Sequence, residues 1–559
     1  MTALGVFGVD FNMEAVQKID LFGDAEKETT TIEGAATSAG VSTATIRNWI
    51  KTGYLESAGR GLVLVESLEH FKKEVAGKEK LNARANKSFK DEHNHDFVTE
   101  SVSQRLTQDG IDFQNLGEFY EESLSNSYRN KEGIYYTPSS IVSNLFSSTR
   151  LDLSKATFCD PCCGGGNFIS QALKLGFKPE NVYGYDIDPT AVKITKERIK
   201  REAGYASTNI KVADFLHEVG SFKSVQFDCI YTNPPWGKKL DKRAKEELGQ
   251  ALKAGSSLDT CSLFFFACIE SLKEKGELGL LLPEAFFNIA TYEATRRKAL
   301  NYSIERMVDY GKPFKGLVTK AQAITLRKAS FGYSGSISCG GPKSSFPRSP
   351  ESFSENPKAI FNLYCDDADA AVLTHIFSLP HITLRERAKW GLGIVTGNNK
   401  KFISSKTGES MMPVYKGSDI ANTGLKEPSA FIPQDLSLYQ QVAPKSLYKA
   451  EAKLIYKFIS SKLSFFHDTE QRFILNSANL LIPDTDFPLS PRALADLLSS
   501  DFMNWIFSKL FNTHKILRGD IECLPIHSQY TDSSHFREEE LLKHLGIEKK
   551  PNGAFRIKR

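Results

Sequence analysis

Asn233-Pro234-Pro235-Trp236 is the stretch of this 559-residue sequence best suited to chemistry. It follows an apolar run, Phe227 to Tyr231, which reads as a buried strand. Two prolines cannot continue that strand, and each fixes its own φ. An amide, a bare carbonyl and an indole ring are therefore held at a strand end. A planar exocyclic amine suits that set. The Asn233 oxygen and the Pro234 carbonyl can accept its two N–H bonds, and Trp236 can stack on its ring. The structural alternative is a proline-rich turn beside a core tryptophan.

The elements that must position this tetrapeptide are legible upstream. Thr157 to Phe168, with Gly164, Gly165 and Gly166, reads as a strand running into a glycine loop and then a helix, Ile169 to Leu175. The loop lacks the Lys-Ser/Thr of a phosphate-binding P-loop. About 20 residues on, Val182 to Pro189 is a second strand ending in Asp186 and Asp188, where a ribose-binding carboxylate belongs. A third strand, Ile210 to Ala213, ends at Asp214-Phe215, and the fourth carries the tetrapeptide. Successive strands ending in polar residues at one edge predict a doubly wound α/β sheet with its ligand there.

Together these motifs resemble the S-adenosylmethionine-dependent adenine-N6 DNA methyltransferases of restriction–modification systems. Their order, cofactor motifs first and target recognition last, is that of the γ group and TaqI-like enzymes. The resemblance runs from about Lys131 to Lys328, and more weakly over the C-terminal third. It implies a Rossmann-like class I methyltransferase sheet with helices on both faces. Thr137, in Gly133 to Pro138, would touch the methionine carboxylate. Asp160, Gly164 and Gly166 would form the cofactor loop, and Asp186 would hold the ribose hydroxyls. Asp214 would accept from the cofactor adenine, with Phe215 against its ring. Asn233, Pro234, Pro235 and Trp236 would be catalytic, and Phe314 would give the flipped base a second stacking face. Two positions depart from the family pattern: Cys162 replaces a small residue such as Ala, and Trp236 replaces the commoner Tyr or Phe. Cysteine still packs as a small apolar residue, and indole still stacks.

Composition agrees with a multidomain globular protein: 41% hydrophobic, 25% charged, net charge +4 and pI near 8.3. Such a mildly basic balance permits nucleic-acid binding. No stretch approaches a membrane span, the N-terminus carries no secretory signal, and the expected location is cytoplasmic. Nine cysteines in so long a chain are no disulfide scaffold. Cys159, Cys162 and Cys163 have no companion Cys or His pair at ligand spacing, so no metal is expected.

Five segments are expected: 1–80, a helix-turn-helix module; 81–130, a helical linker; 131–333, the methyltransferase domain; 334–356, a linker or long loop; and 357–559, a target-recognition domain. In the first, Thr30 to Ala36 starts a short helix, a turn falls at Gly40, and Ser42 caps a second helix to Lys51, which Gly53 ends. A hairpin wing and a closing helix, Ser67 to Lys73, follow. The module resembles MerR- or excisionase-type units, with Thr43, Thr45, Arg47, Asn48 and Lys51 facing DNA. A protein-docking module is the alternative. Further on, Trp390 to Phe402 and Pro413 to Ile420 resemble the opening of TaqI-like recognition domains. Leu497 to Phe511 reads as one helix, and Arg518 to Ile526 as their closing strand.

The expected partners are double-stranded DNA and a separately encoded restriction endonuclease. RNA adenine and protein glutamine-N5 methylation are rival readings, because a side-chain amide poses the same chemical problem as an adenine amine. A fused restriction–modification enzyme would need a nuclease centre, and no convincing set of residues for one precedes Lys131.

Overall fold

Nine strands form the sheet that carries the strand ends described above. A computed structural model describes residues 28–51, 55–59, 61–72, 98–107, 112–124, 133, 135–218, 226–238, 240–314, 317, 319–330, 335–421, 424–511, 513 and 515–558. The chain forms two compact units: residues 1–111 with 119–131, and residues 112–118 with 132–559.

The first unit holds a three-stranded antiparallel sheet of β1 (Thr29–Thr31), β2 (Ser57–Gly59) and β3 (Leu62–Leu64), with β3 central. Between β1 and β2 lie two helices, Ile32–Ser38 and Thr43–Lys51. Thr31 caps the first by accepting from the Gly34 N–H, and Ser42 accepts from the Thr45 N–H at 3.2 Å. Ala35, Ala36, Ile46, Trp49, Leu55, Val63, Leu68 and Phe71 make a small core. Gly53, expected to end the second helix, lies outside the described residues.

In the second unit the large sheet is built from β4 (Phe158–Asp160), β5 (Val182–Asp186), β6 (Ile210–Val212), β7 (Phe227–Thr232), β8 (Leu272–Pro283), β9 (Tyr302–Asp309), β10 (Ala321–Ser330), β11 (Ile337–Gly340) and β12 (Ser345–Arg348). Their order is β12-β11-β9-β10-β8-β7-β4-β5-β6. From β6 to β8 the pairs are parallel, and β10 runs antiparallel to both β8 and β9. From β4 the chain moves outward through β5 to β6, then returns to lay β7 on the other side of β4. The order therefore reverses between β4 and β7, and at such a crevice an open α/β sheet binds ligands. Asp160 ends β4 and Asn233 follows β7, so both stand at the reversal.

Local chemistry fixes the supporting helices. Asp188 caps Pro189–Ala203 by accepting from the Thr190 N–H, with proline at the first helical position. Every residue of Thr260–Ser271 except Glu270 is buried, the state expected of a helix apolar on all sides.

Residues 334–356, expected as a linker or long loop, hold β11 and β12. The Ser/Pro/Gly-rich composition hides Ile337 and Cys339, which are buried where β11 pairs with β9. The C-terminal part has two further cores, one around Leu494, Ile506 and Leu524 and one around Ile394, Val414 and Ile455. The single helix expected over Leu497 to Phe511 is two, Pro491–Ser499 and Asp501–Leu510. Extended Ser500 breaks the run and accepts from the Met503 N–H at 3.1 Å. The expected closing strand is instead a helical turn, Arg518–Ile521, followed by one isolated bridge from Ile526 to Ile382.

Candidate active site

Asn233 leaves β7 at the sheet's reversal and is held from behind. Its Nδ2 donates to the Tyr135 carbonyl at 3.2 Å and to Thr137 Oγ1 at 3.1 Å. A carbonyl can only accept, so the amide nitrogen must face it. The other end, Oδ1, is buried without a hydrogen-bond partner. Buried polar atoms are normally paired, and an orphan acceptor at a strand end marks a place for a donor. Trp236 is 6% exposed and donates from its indole N–H to the Leu281 carbonyl of β8 at 3.2 Å. Behind it, Gly133 has φ +73°, and a Cβ there would sit 2.6 Å from the Trp236 nitrogen. Only glycine fits this approach without strain.

Trp236 meets Phe314 edge-on, with centroids 5.2 Å apart and planes at 84°. Tyr135 joins both, at 6.0 and 5.5 Å. The two expected stacking faces are thus adjacent, but they do not form parallel walls. A base between them needs about two stacking spacings of ~3.4 Å, and the rings are packed too closely for that.

On the other side of the reversal, Asp160 is fully buried and burial pushes its carboxyl up to about 7. Its Oδ1 accepts from the Cys162 N–H at 3.2 Å, and the Thr232 hydroxyl at the end of β7 also lies against its carboxylate. Asp186 accepts from the Gly164 and Asp188 N–H groups, each at 2.9 Å, and burial pushes it up to about 6. Gly166, at φ +81°, begins the helix Asn167–Leu175. A Cβ on Gly166 would lie 2.9 Å from Thr195 Oγ1, so the loop folds tightly against the helix behind it. Asp214 Oδ1 accepts from the Leu216 N–H at 3.0 Å. Phe215 is 1% exposed and stacks on Phe264, so it serves the site as core packing. Thr137 is 6% exposed, with its hydroxyl directed at Asn233 and its carbonyl at Asn167. Cys159 and Cys163 pack in the core, and burial pushes both thiols up.

Sequence reasoning missed two residues that hold the site, Tyr135 through its carbonyl and Asn167, and one exposed apolar side chain beside it, Ile187. Ile187 is 52% exposed beside Asp186, and Val212 is 54% exposed at the end of β6. An apolar residue directly after the acid that ends a buried strand was the available signal. Backbone carbonyls leave none.

Two family profiles match the chain: N-6 DNA Methylase over residues 112–328, and the TaqI-like C-terminal specificity domain over 412–526. The chain is 48% identical over 405 residues to the type II methyltransferase M.VspI of Vibrio sp. (strain 343), covering 72% of this chain and 99% of that one. The chain belongs to the N-6 DNA methylase family. It is a DNA adenine methyltransferase. The modification methylase CviBIII of Paramecium bursaria Chlorella virus NC1A is 29% identical over 33% of this chain and 46% of its own. Among solved structures, that of the type IIL restriction–modification enzyme MmeI in complex with DNA matches 74% of this chain and 70% of its own, at 12% identity and a TM-score of 0.48.

The first 111 residues of this methylase lie outside both profiles. There Thr43 and Thr45 are half-buried, and Thr45 Oγ1 lies 2.9 Å from Ser42 Oγ. Arg47 is exposed, 3.9 Å from Glu33. The side chains of Asn48 and Lys51 lie outside the described residues.

Proposed function

We propose that this methylase is the modification enzyme of a type II restriction–modification system, transferring the methyl group of S-adenosylmethionine to N6 of an adenine flipped out of double-stranded DNA. The observation that carries the reading is the unpartnered Asn233 Oδ1, held as an acceptor by two bonds to its own nitrogen.

The adenine amine is a poor nucleophile, because its lone pair is delocalised into the ring. Asn233 Oδ1 and the Pro234 carbonyl accept its two hydrogens, draw the nitrogen toward sp³ and localise that pair. The remaining task is alignment, which contributes more here than acid–base chemistry. S-adenosylmethionine supplies a methyl group activated by its sulfonium charge. An amine stacked inside a duplex cannot reach it, so the base must leave the helix. Trp236 and Phe314 part to receive the base, and the new stacking contributes about 1–3 kcal/mol toward the unpairing cost.

The residues at the reversal fit such a cofactor. Asp186 would take the ribose hydroxyls, Asp160 is a fully buried acceptor at the loop, and Ile187 and Val212 offer an apolar bed for an adenine ring beside Asp214. Gly164 and Gly166 keep the loop thin enough for close approach, and the Thr137 hydroxyl proton remains for the methionine carboxylate. The motif order supports the γ group on a Rossmann-like sheet flanked by helices, with 131–333 as the catalytic domain and 357–559 reading the target. Residues 1–80 are then a helix-turn-helix module adding DNA contacts, and 81–130 its connection. A separately encoded endonuclease is the functional partner, and the setting is cytoplasmic. The TaqI-like specificity match favours DNA over the RNA and glutamine readings.

Nucleoside analysis of DNA from cells expressing the chain tests the proposal. N6-methyladenine at one sequence motif is expected; N4-methylcytosine alone, or unmodified DNA, would reject it.

A further inference from the structure

Asn233 is joined to a run of polar contacts that begins behind the cofactor loop. Arg198, on the helix Pro189–Ala203, is 4% exposed. Its Nη1 donates to the Gly165 carbonyl at 3.2 Å and to Asn167 Oδ1 at 2.8 Å. Its charge is met by Glu202, with Nε to Oε1 at 2.9 Å, and Ser170 Oγ donates to the other Glu202 oxygen at 2.7 Å. The Tyr136 hydroxyl adds a second donor to Asn167 Oδ1 at 3.3 Å. From its opposite end, Asn167 Nδ2 donates to the Thr137 carbonyl at 2.9 Å. Thr137 and Tyr135 in turn hold the Asn233 amide nitrogen.

The run has only one allowed direction. A guanidinium carries donors and no acceptor. Asn167 must therefore turn its oxygen to Arg198 and its nitrogen to Thr137. The chain around Thr137 is thereby tied to the cofactor loop, and its acceptors force Asn233 to turn its nitrogen inward. Were Asn233 reversed, an N–H would oppose the N–H bonds of the incoming amine.

We propose that Asn167 and Arg198 are positioning residues for methyl transfer: they hold Asn233 as an acceptor and fix its place relative to the cofactor loop. The inference rests on Asn233 as the acceptor of the target amine. Neither residue touches the substrate; both act through residues 135–137.

Asn167→Asp is the decisive variant. It preserves size and the acceptor facing Arg198, but puts an acceptor against the Thr137 carbonyl. Arg198 is left intact, because its buried guanidinium also bonds the Gly165 carbonyl, and removing it would disturb the cofactor loop directly. Single-turnover methyl transfer at saturating cofactor and DNA, calorimetric cofactor affinity and melting temperature are compared with the native protein, with Asn233→Ala alongside. Asn167→Asp should lower the single-turnover rate about 100-fold while cofactor Kd moves less than about threefold. Thr137→Val should show the same slow transfer, and Thr137→Ser should recover at least about tenfold of it. A native rate in Asn167→Asp beside an inactive Asn233→Ala overturns the positioning role and leaves the amine reading standing. So does a rate loss matched by equal loss of cofactor affinity. An active Asn233→Ala sinks both. Should Asn167→Asp fail to fold, equal rates for Thr137→Val and Thr137→Ser overturn the proposal.

Discussion

At the scale of single residues, the proposed function gives the two sides of the sheet reversal separable tasks. Asn233→Ala deletes the orphan acceptor, so turnover should fall about 100-fold or more while cofactor still binds. Asp186→Ala should weaken cofactor binding first. Calorimetry on both variants, beside their turnover, checks the division; equal loss of affinity in the two would contradict it. Asp186 also predicts a pH dependence. Burial pushes its carboxyl up to about 6, so it is an ionised acceptor above that pH and loses acceptor capacity below it. Cofactor affinity should be weaker at pH 5 than at pH 8. Asp186→Asn should remove the step near 6, and any step left near 7 belongs to Asp160. The placement of Asp160, Asp186 and Asn233 at strand ends was legible because each ends or closely follows an apolar run. Asn167 was harder to see: its role depends on where the 135–137 backbone passes, and spacing carries no record of that.

At the scale of elements, the two prolines end β7 and the turn they make is braced by Gly133. Gly133→Ala would hold a Cβ at φ +73° and 2.6 Å from the Trp236 nitrogen. Left-handed backbone alone costs about 1–2 kcal/mol outside glycine, and the clash adds to it. A lower melting temperature and slower methyl transfer are expected together; an unchanged rate would show that the brace is dispensable. The parallel strands were readable because they are apolar runs with polar ends. By contrast, β11 depends on β9 for its pairing, and a Ser/Pro/Gly-rich stretch gives no local hint of that partner. The break at Ser500 follows the same logic. Serine is tolerated inside a helix and favoured at its start, so periodicity alone cannot choose between one helix and two.

For the whole molecule, both family profiles lie within 112–526, beyond the N-terminal module. Removing residues 1–80 should leave the methylated motif unchanged and weaken DNA binding. The salt dependence should also flatten, by about 0.9 in log–log slope for each phosphate that the shortened chain no longer neutralises. Methylome sequencing and salt-titrated binding of the truncated chain measure both; a shortened motif would assign base reading to the module. The order of the methylase and specificity parts was legible from the sequence because each carries its own motifs, whereas the two cores of the C-terminal part were not. The packing of the aromatic trio has an optical consequence at this scale. Four tryptophans are spread along the chain. Trp49 belongs to the N-terminal core, while Trp390 and Trp505 belong to a C-terminal one. Trp236 alone is in the Tyr135–Phe314 cluster. Its emission should be blue-shifted in the free protein and quenched when a nucleobase displaces Phe314 from its edge. A stopped-flow trace on mixing with duplex, blanked by Trp236→Phe, would then time extrusion of the base separately from methyl transfer, with no label on either molecule.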